Sequence, residues 1–296
     1  MGTTYGTRRQ VSRDHAMGMA FVARLLACLV LGGGLLAACG STTQSTSSAG
    51  CDLPTTEPGE YAGVHEIGDV DQPYWVVVPD AYANGDPAPL YLHLASGTGD
   101  HDILLTGWRP YLDDLPGVMV IINTVREEFQ ESENLIALAD EVANQYCIDP
   151  NRIHLLGTSH SFTAARQLAC EQADRVASAV IALGGTFDLP CNPARPVPLL
   201  TFTGDPDRGG VTQLVDTWAR LNECDPDPNV EDLGSGVLRK SYQNCQGDIV
   251  FYDIEGMGHV WPMNEAIGPG ATSVAEYEEV DYLDEAIAFF DSHPLS

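Results

Sequence analysis

Ile153-His154-Leu155-Leu156-Gly157-Thr158-Ser159-His160-Ser161 is the most informative stretch of this sequence. An apolar strand pattern ends at Gly157, and a helical pattern with the small residues Ala164 and Ala165 follows at once. Such a turn can hold a serine in strained backbone geometry and lift its hydroxyl above the edge of a sheet. The pattern GxSxG has a second glycine where this chain has Ser161. Taken alone the stretch is weak evidence, because a serine in such a turn is more often only a helix N-cap.

Apolar runs alternate with helical patterns on both sides of this turn. The predicted strands are 74–78, 90–94, 118–122, 153–156, 177–183, 199–202 and 249–254, and the predicted helices are 131–146, 161–170, 211–222 and 274–292. Several strand runs are continuously apolar, as expected of strands that are buried on both faces of a mostly parallel sheet. The alternation therefore predicts an α/β fold, with a doubly wound, mostly parallel sheet and helices on both faces.

Two later strand ends carry the groups that a serine nucleophile needs. A serine hydroxyl requires a general base, usually histidine, and a carboxylate that orients this base. Asp205 and Asp207 follow the strand at 199–202, and His259 follows the strand at 249–254. Catalytic groups collect at the carboxyl ends of parallel strands, so Ser159, one aspartate and His259 are expected to lie together. The order Ser, Asp, His along the chain is that of the α/β-hydrolases.

Several segments resemble the family of secreted polyhydroxybutyrate depolymerases and feruloyl or acetylxylan esterases, which have the α/β-hydrolase fold. The similarity covers roughly residues 75–290 and is strongest at Gly258-His259-Val260-Trp261-Pro262, which is similar to the family's GHTWP. It implies that Ser159 is the nucleophile and that His259 acts as general base and then as acid. Asp207 is preferred to Asp205 as the orienting carboxylate, because the family pattern is Gly, two residues, Asp.

Acyl transfer also needs two backbone N–H donors directed at the oxyanion. One is expected from His160, directly after the nucleophile. The resemblance implies that the second comes from the loop after the strand at 90–94, where Gly97 is the preferred donor. Ala95 is a departure in this region, because the family has a histidine there. Trp261 is expected either to line the substrate pocket or to pack against His259.

The N-terminal 50 residues have the features of an exported protein. Four arginines precede an apolar run at 25–38. This run is shorter than the ~20 residues that a membrane-spanning helix needs. Leu36-Ala37-Ala38-Cys39 resembles a bacterial lipobox, which implies a lipid on Cys39 and a location in the cell envelope, outside the cytoplasm. An ordinary signal peptide or a short anchor is the alternative. The predicted organisation is a signal peptide at 1–38, Cys39 with a flexible tether at 39–50, and one catalytic domain at 51–296.

Six of the eight cysteines lie beyond Cys39. An even number in an exported protein predicts disulfides, although six cysteines allow fifteen pairings. The family resemblance suggests Cys170–Cys191 and Cys224–Cys245, which leaves Cys51–Cys147 as the third pair.

The chain is strongly acidic, with 14 Lys and Arg against 42 Asp and Glu and a formal charge of −28. Without residues 1–38 it loses four basic residues and one acidic residue, and the charge becomes −31. This charge opposes binding to nucleic acid or to an anionic membrane through a basic patch. The expected partner is the ester substrate that the family resemblance implies, and the N-terminal lipid is the only expected membrane contact. We predict a monomer without a cofactor.

Metal sites have little support in the sequence. His93, His101 and His160 lack the paired spacing of metal ligands, so no catalytic metal is predicted. The acidic segment 225–232 has oxygen ligands for Ca²⁺, but its prolines and the missing EF-hand glycine favour a solvated loop.

The favoured function is hydrolysis of carboxylic esters through an acyl-enzyme on Ser159. Candidate substrates are acetyl or feruloyl esters on polysaccharides, polyhydroxyalkanoates and small esters, and the sequence does not choose among them. One alternative is a non-catalytic cell-surface binding lipoprotein that keeps the hydrolase fold, which the departures at Ser161 and Ala95 motivate. A second alternative is an acyltransferase, in which an alcohol rather than water accepts the acyl group.

Overall fold

Ten strands and four α-helices are found in the part of the chain that this computed structural model describes. That part comprises residues 47–54, 56–67, 70–82, 86–95, 105, 108–109, 111–112, 115–124, 131–185, 190–259 and 280–295. The strands are β1 (Gly59–Ile67), β2 (Val70–Val78), β3 (Ala88–Ala95), β4 (Val118–Asn123), β5 (Ile148–Thr158), β6 (Ser178–Ala182), β7 (Leu199–Thr203), β8 (Asn229–Gly234), β9 (Val237–Ser241) and β10 (Ile249–Ile254). The helices are α1 (Ser132–Ala143), α2 (Phe162–Glu171), α3 (Arg208–Leu221) and α4 (Tyr282–Ser292).

All ten strands belong to one sheet, in the order β1-β2-β4-β3-β5-β6-β7-β10-β9-β8. The six central strands, from β4 to β10, pair in parallel. The pairs at both edges, β1 with β2 and β8 with β9, are antiparallel, and so are the pairs that join them to the centre. The predicted class, a mostly parallel sheet in an α/β fold, is confirmed.

The sheet is covered on both faces, which explains the continuous apolar runs. All eight residues of β3 are buried. Leu90, Leu92 and Leu94 pack in one cluster with residues of α1, α2 and α3, whereas Tyr91 and Ala95 pack in a second cluster with residues of α4. Because both faces of the strand meet apolar neighbours, the alternation of apolar and polar residues that marks a half-buried strand is absent.

The prediction was wrong at the edges of the sheet. β1, β8 and β9 were not predicted, and the segment 225–232, predicted as a loop, contains the start of β8. Every residue of β8 except Leu233 is exposed, and its partner β9 is mostly half-buried. A strand with so little burial carries hardly any apolar periodicity, so hydrogen bonding to its neighbour determines its conformation.

The C-terminal helix and the N-terminal segment are only partly described. α4 begins at Tyr282, and Asp281 is its N-cap. The Asp281 side chain accepts hydrogen bonds from the N–H groups of Leu283 and Asp284. The earlier residues of the predicted helix, 274–279, lie outside the described residues. No helix in the described ranges is both long and apolar enough to cross a membrane.

Three disulfides join Cys51 to Cys147, Cys170 to Cys191 and Cys224 to Cys245. The last two are the pairs that the family resemblance implies, and the first is the pair that they left, so all three predictions are confirmed. Disulfides persist in oxidising compartments and are rare in the cytosol. The bonds therefore indicate an extracellular protein.

Candidate active site

Ser159 lies at the carboxyl end of β5 in a strained conformation. Its φ of 54° is in the left-handed region, which a residue with a Cβ rarely adopts. A short 3-10 helix, Ser159–Ser161, follows and leads directly into α2. Gly157 packs so closely on Ala165 that a Cβ at position 157 would overlap the alanine side chain. The small residues on both sides therefore allow the sharp turn that exposes the serine.

Ser161, in the place of the usual glycine, is fully buried and hydrogen-bonded. Its Oγ accepts a hydrogen bond from the Thr158 N–H at 2.9 Å. The same hydroxyl lies 2.5 Å from the carbonyl oxygen of Leu94 and 2.8 Å from that of Thr158, and it can donate its proton to either. Ser161 thus joins the serine turn to the end of the neighbouring strand β3.

Ser159, His259 and Asp207 form a continuous hydrogen-bonded series. Ser159 Oγ lies 2.6 Å from His259 Nε2, and His259 Nδ1 lies 2.7 Å from Asp207 Oδ2. Since a carboxylate only accepts, Nδ1 carries the proton and Nε2 is left to accept the hydroxyl proton of Ser159. The Asp207 side chain is 12% exposed and that of His259 is 46% exposed. The arrangement can move a proton from the serine to the histidine.

The strand order explains why residues so distant in sequence meet here. β5, β6, β7 and β10 are consecutive neighbours in the sheet and run in parallel. Ser159, Asp207 and His259 follow β5, β7 and β10 respectively. All three therefore lie at the carboxyl ends of these parallel strands, on the same side of the sheet. His259 comes at the end of a short turn in which Met257 is almost fully buried.

Asp205, the rival orienting carboxylate, has different partners. Its Oδ2 accepts a hydrogen bond from the Gly256 N–H at 3.2 Å, and its Oδ1 lies 2.8 Å from Arg208 Nη2. Its own N–H donates to the Met257 carbonyl oxygen at 2.9 Å. Of the two aspartates, Asp207 is therefore the one whose carboxylate contacts the His259 ring.

A charged group beside the site joins α3 to β9 and β10. Arg208 Nε and Lys240 Nζ each lie 2.8 Å from a carboxylate oxygen of Asp253. Burial alone would raise the pKa of Asp253, but hydrogen bonds from Lys240 and Arg208 bring it below its ordinary value. The hydrogen bond to Asp253 also raises the pKa of Arg208. Sequence reasoning missed this group, because no local pattern links residues on three separate elements.

Other predicted site residues are placed only in part. His160 lies in the 3-10 helix directly after Ser159. Gly97, Trp261 and Cys39 lie outside the described residues, so their roles stay predictions. His93 is buried in β3 beside the Trp108 ring, and burial lowers its pKa to about 4. Within the described ranges, no group of three or more His, Cys, Asp or Glu side chains is arranged to hold a metal ion.

Comparison with known proteins gives relatives in sequence and in structure. No family model matches the chain. Feruloyl esterase B of Piromyces equi is 29% identical over an alignment of 165 residues, and the match covers 46% of this chain and 29% of that protein. The match thus spans less than a third of the length of this relative.

Among solved structures, acetyl xylan esterase from Aspergillus awamori superposes with a TM-score of 0.55 at 12% identity, over 79% of this chain and 99% of that chain. Fluorophosphonate-binding serine hydrolase F of Staphylococcus aureus superposes with a TM-score of 0.50 at 12% identity, over the same shares. Likeness at such low identity concerns the fold. The chain is therefore an α/β-hydrolase by fold, similar in sequence to a feruloyl esterase and in structure to an acetyl xylan esterase.

Proposed function

We propose that this protein is a serine esterase that hydrolyses carboxylic esters through an acyl-enzyme on Ser159. The hydrogen-bonded series from Ser159 through His259 to Asp207 carries the proposal. It is supported by the strained turn at Ser159, since this geometry presents a hydroxyl at the sheet edge at a cost in backbone energy. The esterase names of the relatives in sequence and structure are consistent with it.

The first chemical step forms the acyl-enzyme. His259 Nε2 takes the proton of Ser159 Oγ as this oxygen attacks the ester carbonyl carbon, and Asp207 stabilises the imidazolium that forms. The tetrahedral intermediate collapses, the C–O bond to the alcohol breaks, and His259 gives its proton to the departing alcohol oxygen. The acyl group remains on Ser159.

The second step releases the acid. His259 takes a proton from a water molecule that attacks the acyl carbon, and the proton returns to Ser159 Oγ as the acyl bond breaks. In both steps the oxyanion accepts hydrogen bonds from the backbone N–H groups of His160 and Gly97. Loss of one such donor typically lowers kcat by about 10²- to 10³-fold, so each of the two N–H groups is expected to contribute strongly to the rate.

The substrate is an acetyl or feruloyl ester on a polysaccharide, a polyhydroxyalkanoate or a small ester. Specificity depends on the loops at the sheet edge that carries Ser159. The segments 96–104, 125–130, 186–189 and 260–279 follow β3, β4, β6 and β10 and lie outside the described residues. Trp261, proposed as a substrate contact, belongs to the last of them. A panel of acetyl, feruloyl and hydroxybutyryl esters would separate the candidates.

The proposed setting is the cell envelope, with the protein anchored at Cys39 and facing outside the cytoplasm. In this proposal residues 1–38 are a signal peptide, Cys39 carries a lipid and begins the tether, and residues 51–296 act as a monomeric catalytic domain. Residues 48–50 of the predicted tether pack on this domain, since the Ser48 N–H donates to the Ile148 carbonyl oxygen and Gly50 is buried against Tyr146, so the proposed flexible part ends before Ser48. The three disulfides support the extracellular part of this proposal.

The deciding experiment compares Ser159→Ala with the wild type. We expect kcat/KM for p-nitrophenyl acetate and butyrate to fall at least about 10³-fold, because the nucleophile is lost. Labelling by a fluorophosphonate probe should disappear as well. Ser292→Ala, which changes an exposed serine at the end of α4, is the matched control and should keep both properties.

Retained labelling of Ser159→Ala at another serine would contradict the proposed nucleophile. A wild-type protein that binds an ester without hydrolysing it or reacting with the probe would favour the binding lipoprotein. Transfer of the acyl group to an added alcohol, in preference to water, would identify an acyltransferase.

A further inference from the structure

We propose that Asp205 is a positioning residue that holds the turn carrying His259 against the turn carrying Asp207. This inference rests on the proposed function, because its effect is expressed through the base His259. Neither the resemblance nor the spacing of the motif assigns a role to Asp205 other than that of a rival to Asp207 as the orienting carboxylate.

The two turns are joined by a pair of hydrogen bonds, both made by Asp205. Its backbone N–H donates to the Met257 carbonyl oxygen, and its carboxylate accepts from the Gly256 N–H. Gly204 lies so close to the Met257 carbonyl group that a Cβ there would overlap it. The turns are thus in direct contact two to three residues before Asp207 and two to three residues before His259.

This contact matters because the His259 side chain is nearly half exposed. Its ring is located by Asp207, by Ser159 and by the backbone of its own turn. A misplacement of a reacting group by about 1 Å can cost on the order of 10²-fold in rate. Fixing the Gly256 and Met257 backbone therefore helps to keep His259 Nε2 within hydrogen-bond distance of Ser159.

Asp205 is itself held in place from the other side. Arg208 donates to Asp205 Oδ1 through Nη2 and to Asp253 Oδ1 through Nε, both at 2.8 Å. Lys240, the only lysine of the chain, contacts the second oxygen of Asp253. A partly buried carboxylate on β10 thus fixes Arg208, and Arg208 fixes the carboxylate of Asp205. The side chain of Asp205 is 51% exposed, so its removal is not expected to prevent folding.

The test compares Asp205→Ala and Asp205→Asn in the full chain with p-nitrophenyl acetate as substrate. We expect Asp205→Ala to lower kcat about tenfold with KM within about twofold, because it removes the acceptor for the Gly256 N–H. Asp205→Asn should keep kcat within about threefold of the wild type, because an amide oxygen can accept the same hydrogen bond.

Asp149→Ala is the matched control. Asp149 also accepts a hydrogen bond from a backbone N–H, that of Asn151, and it also pairs with an arginine three residues later, Arg152. It lies near the start of β5, whereas Ser159 follows the end of that strand. We expect Asp149→Ala to leave kcat within about twofold of the wild type.

The comparison of the two Asp205 variants separates positioning from an electrostatic role. Asp205→Asn removes the charge of the carboxylate and keeps an acceptor for the Gly256 N–H, whereas Asp205→Ala removes both. A kcat in Asp205→Asn as low as in Asp205→Ala, a wild-type kcat in Asp205→Ala, or an equal loss in Asp149→Ala would overturn the positioning role.

Failure of this inference can be told apart from failure of the proposed function. If Ser159→Ala is inactive and Asp205→Ala is fully active, only the role of Asp205 is wrong. If Ser159→Ala keeps wild-type activity, the proposed nucleophile is wrong, whatever Asp205 does.

Discussion

Ser161 replaces the second glycine of the GxSxG pattern and takes on a hydrogen-bonding role. Its buried hydroxyl joins the Thr158 N–H to the end of β3 at Leu94, so two strands share one side chain at the site. The change from glycine to serine at this position therefore adds hydrogen bonds that a glycine could not make. Loss of the hydroxyl would leave a buried donor and a buried acceptor without this partner.

Ser161→Gly, which restores the usual pattern, should therefore destabilise this protein. We expect the free energy of unfolding to fall by about 1–3 kcal/mol, the cost of leaving buried polar groups unsatisfied. Urea denaturation measures it, with Ser292→Ala as the exposed serine control. A variant as stable as the wild type would contradict the importance of these hydrogen bonds.

Asp205 and Asp207 show the limit of local patterns at the residue scale. Both belong to Gly204-Asp205-Pro206-Asp207 and follow the same strand, so sequence position alone makes both plausible partners of a histidine. Ser159 and His259 are more distinctive, because each lies in a turn with small neighbours directly after a buried strand. Distances in the fold separate the two acids: Asp207 contacts the His259 ring, and Asp205 contacts the backbone of its turn.

At the scale of elements, β5 and α4 are joined by a buried histidine. The rings of His154, Tyr91 and Phe290 pack against one another, with His154 5.9 Å from Tyr91 and 5.0 Å from Phe290 between centroids. The Nδ1 of His154 lies 2.9 Å from Ser178 Oγ. Burial, assisted by the charges of Arg152 and His293, lowers its pKa to about 3. The ring is thus neutral in the folded protein.

This histidine should make stability depend on pH. Its pKa in the unfolded chain is about 6.5, so between pH 6.5 and 3 the unfolded state binds the extra proton and the folded state does not. The stabilisation is present above pH 6.5 and is lost as the pH falls. Between pH 7 and pH 5 we expect His154 to account for a loss of about 2 kcal/mol.

The double variant His154→Phe/Ser178→Ala tests this at the same element contact. It removes both hydrogen-bonding partners together and keeps a ring against Phe290, so stability at pH 7 should change little. The fall in the free energy of unfolding between pH 7 and pH 5 should be smaller than in the wild type, as measured by urea titrations. An unchanged pH dependence would contradict the assignment.

Elements differed in how well their sequence predicted them. The central strands were predicted because burial on both faces leaves continuous apolar runs. β1 and β8 are the two edge strands, and β9 lies next to β8. In these strands backbone hydrogen bonds to a neighbour replace apolar burial as the main cause of strand conformation. Such pairing partners lie outside the local window that a pattern can sample.

At the scale of the whole molecule, the segment that contains Ser48 and Cys51 is joined to the start of β5, the end of this strand that lies opposite Ser159. The Ser48 N–H donates to the Ile148 carbonyl oxygen at 2.9 Å, and Cys51 is bonded to Cys147 just before β5 begins. Ser159 follows the other end of this 11-residue strand. Ile148 lies opposite Ala88 and Gly157 lies opposite Leu94 of β3, so roughly 20 Å separate the two ends, at about 3.3 Å for each of the six steps along β3.

The proposed lipid on Cys39 gives a prediction at this scale. In a bacterial host, the full chain should incorporate an alkyne-labelled fatty acid and sediment with membranes, and Cys39→Ala should lose both properties. Cys28→Ala, in the preceding apolar run, is the control and should keep them. Labelling that persists in Cys39→Ala would favour an ordinary signal peptide or a short anchor.

The sequence by itself determined the α/β class, the central strands and the two turns that carry Ser159 and His259. It could do so because burial and sharp turns leave their marks within a few neighbouring residues. Only the tertiary structure decided which aspartate contacts the histidine, which groups Ser161 joins, and which edge strands complete the sheet. Those outcomes depend on distances between residues that lie tens of positions apart, and the chain must fold before such distances exist.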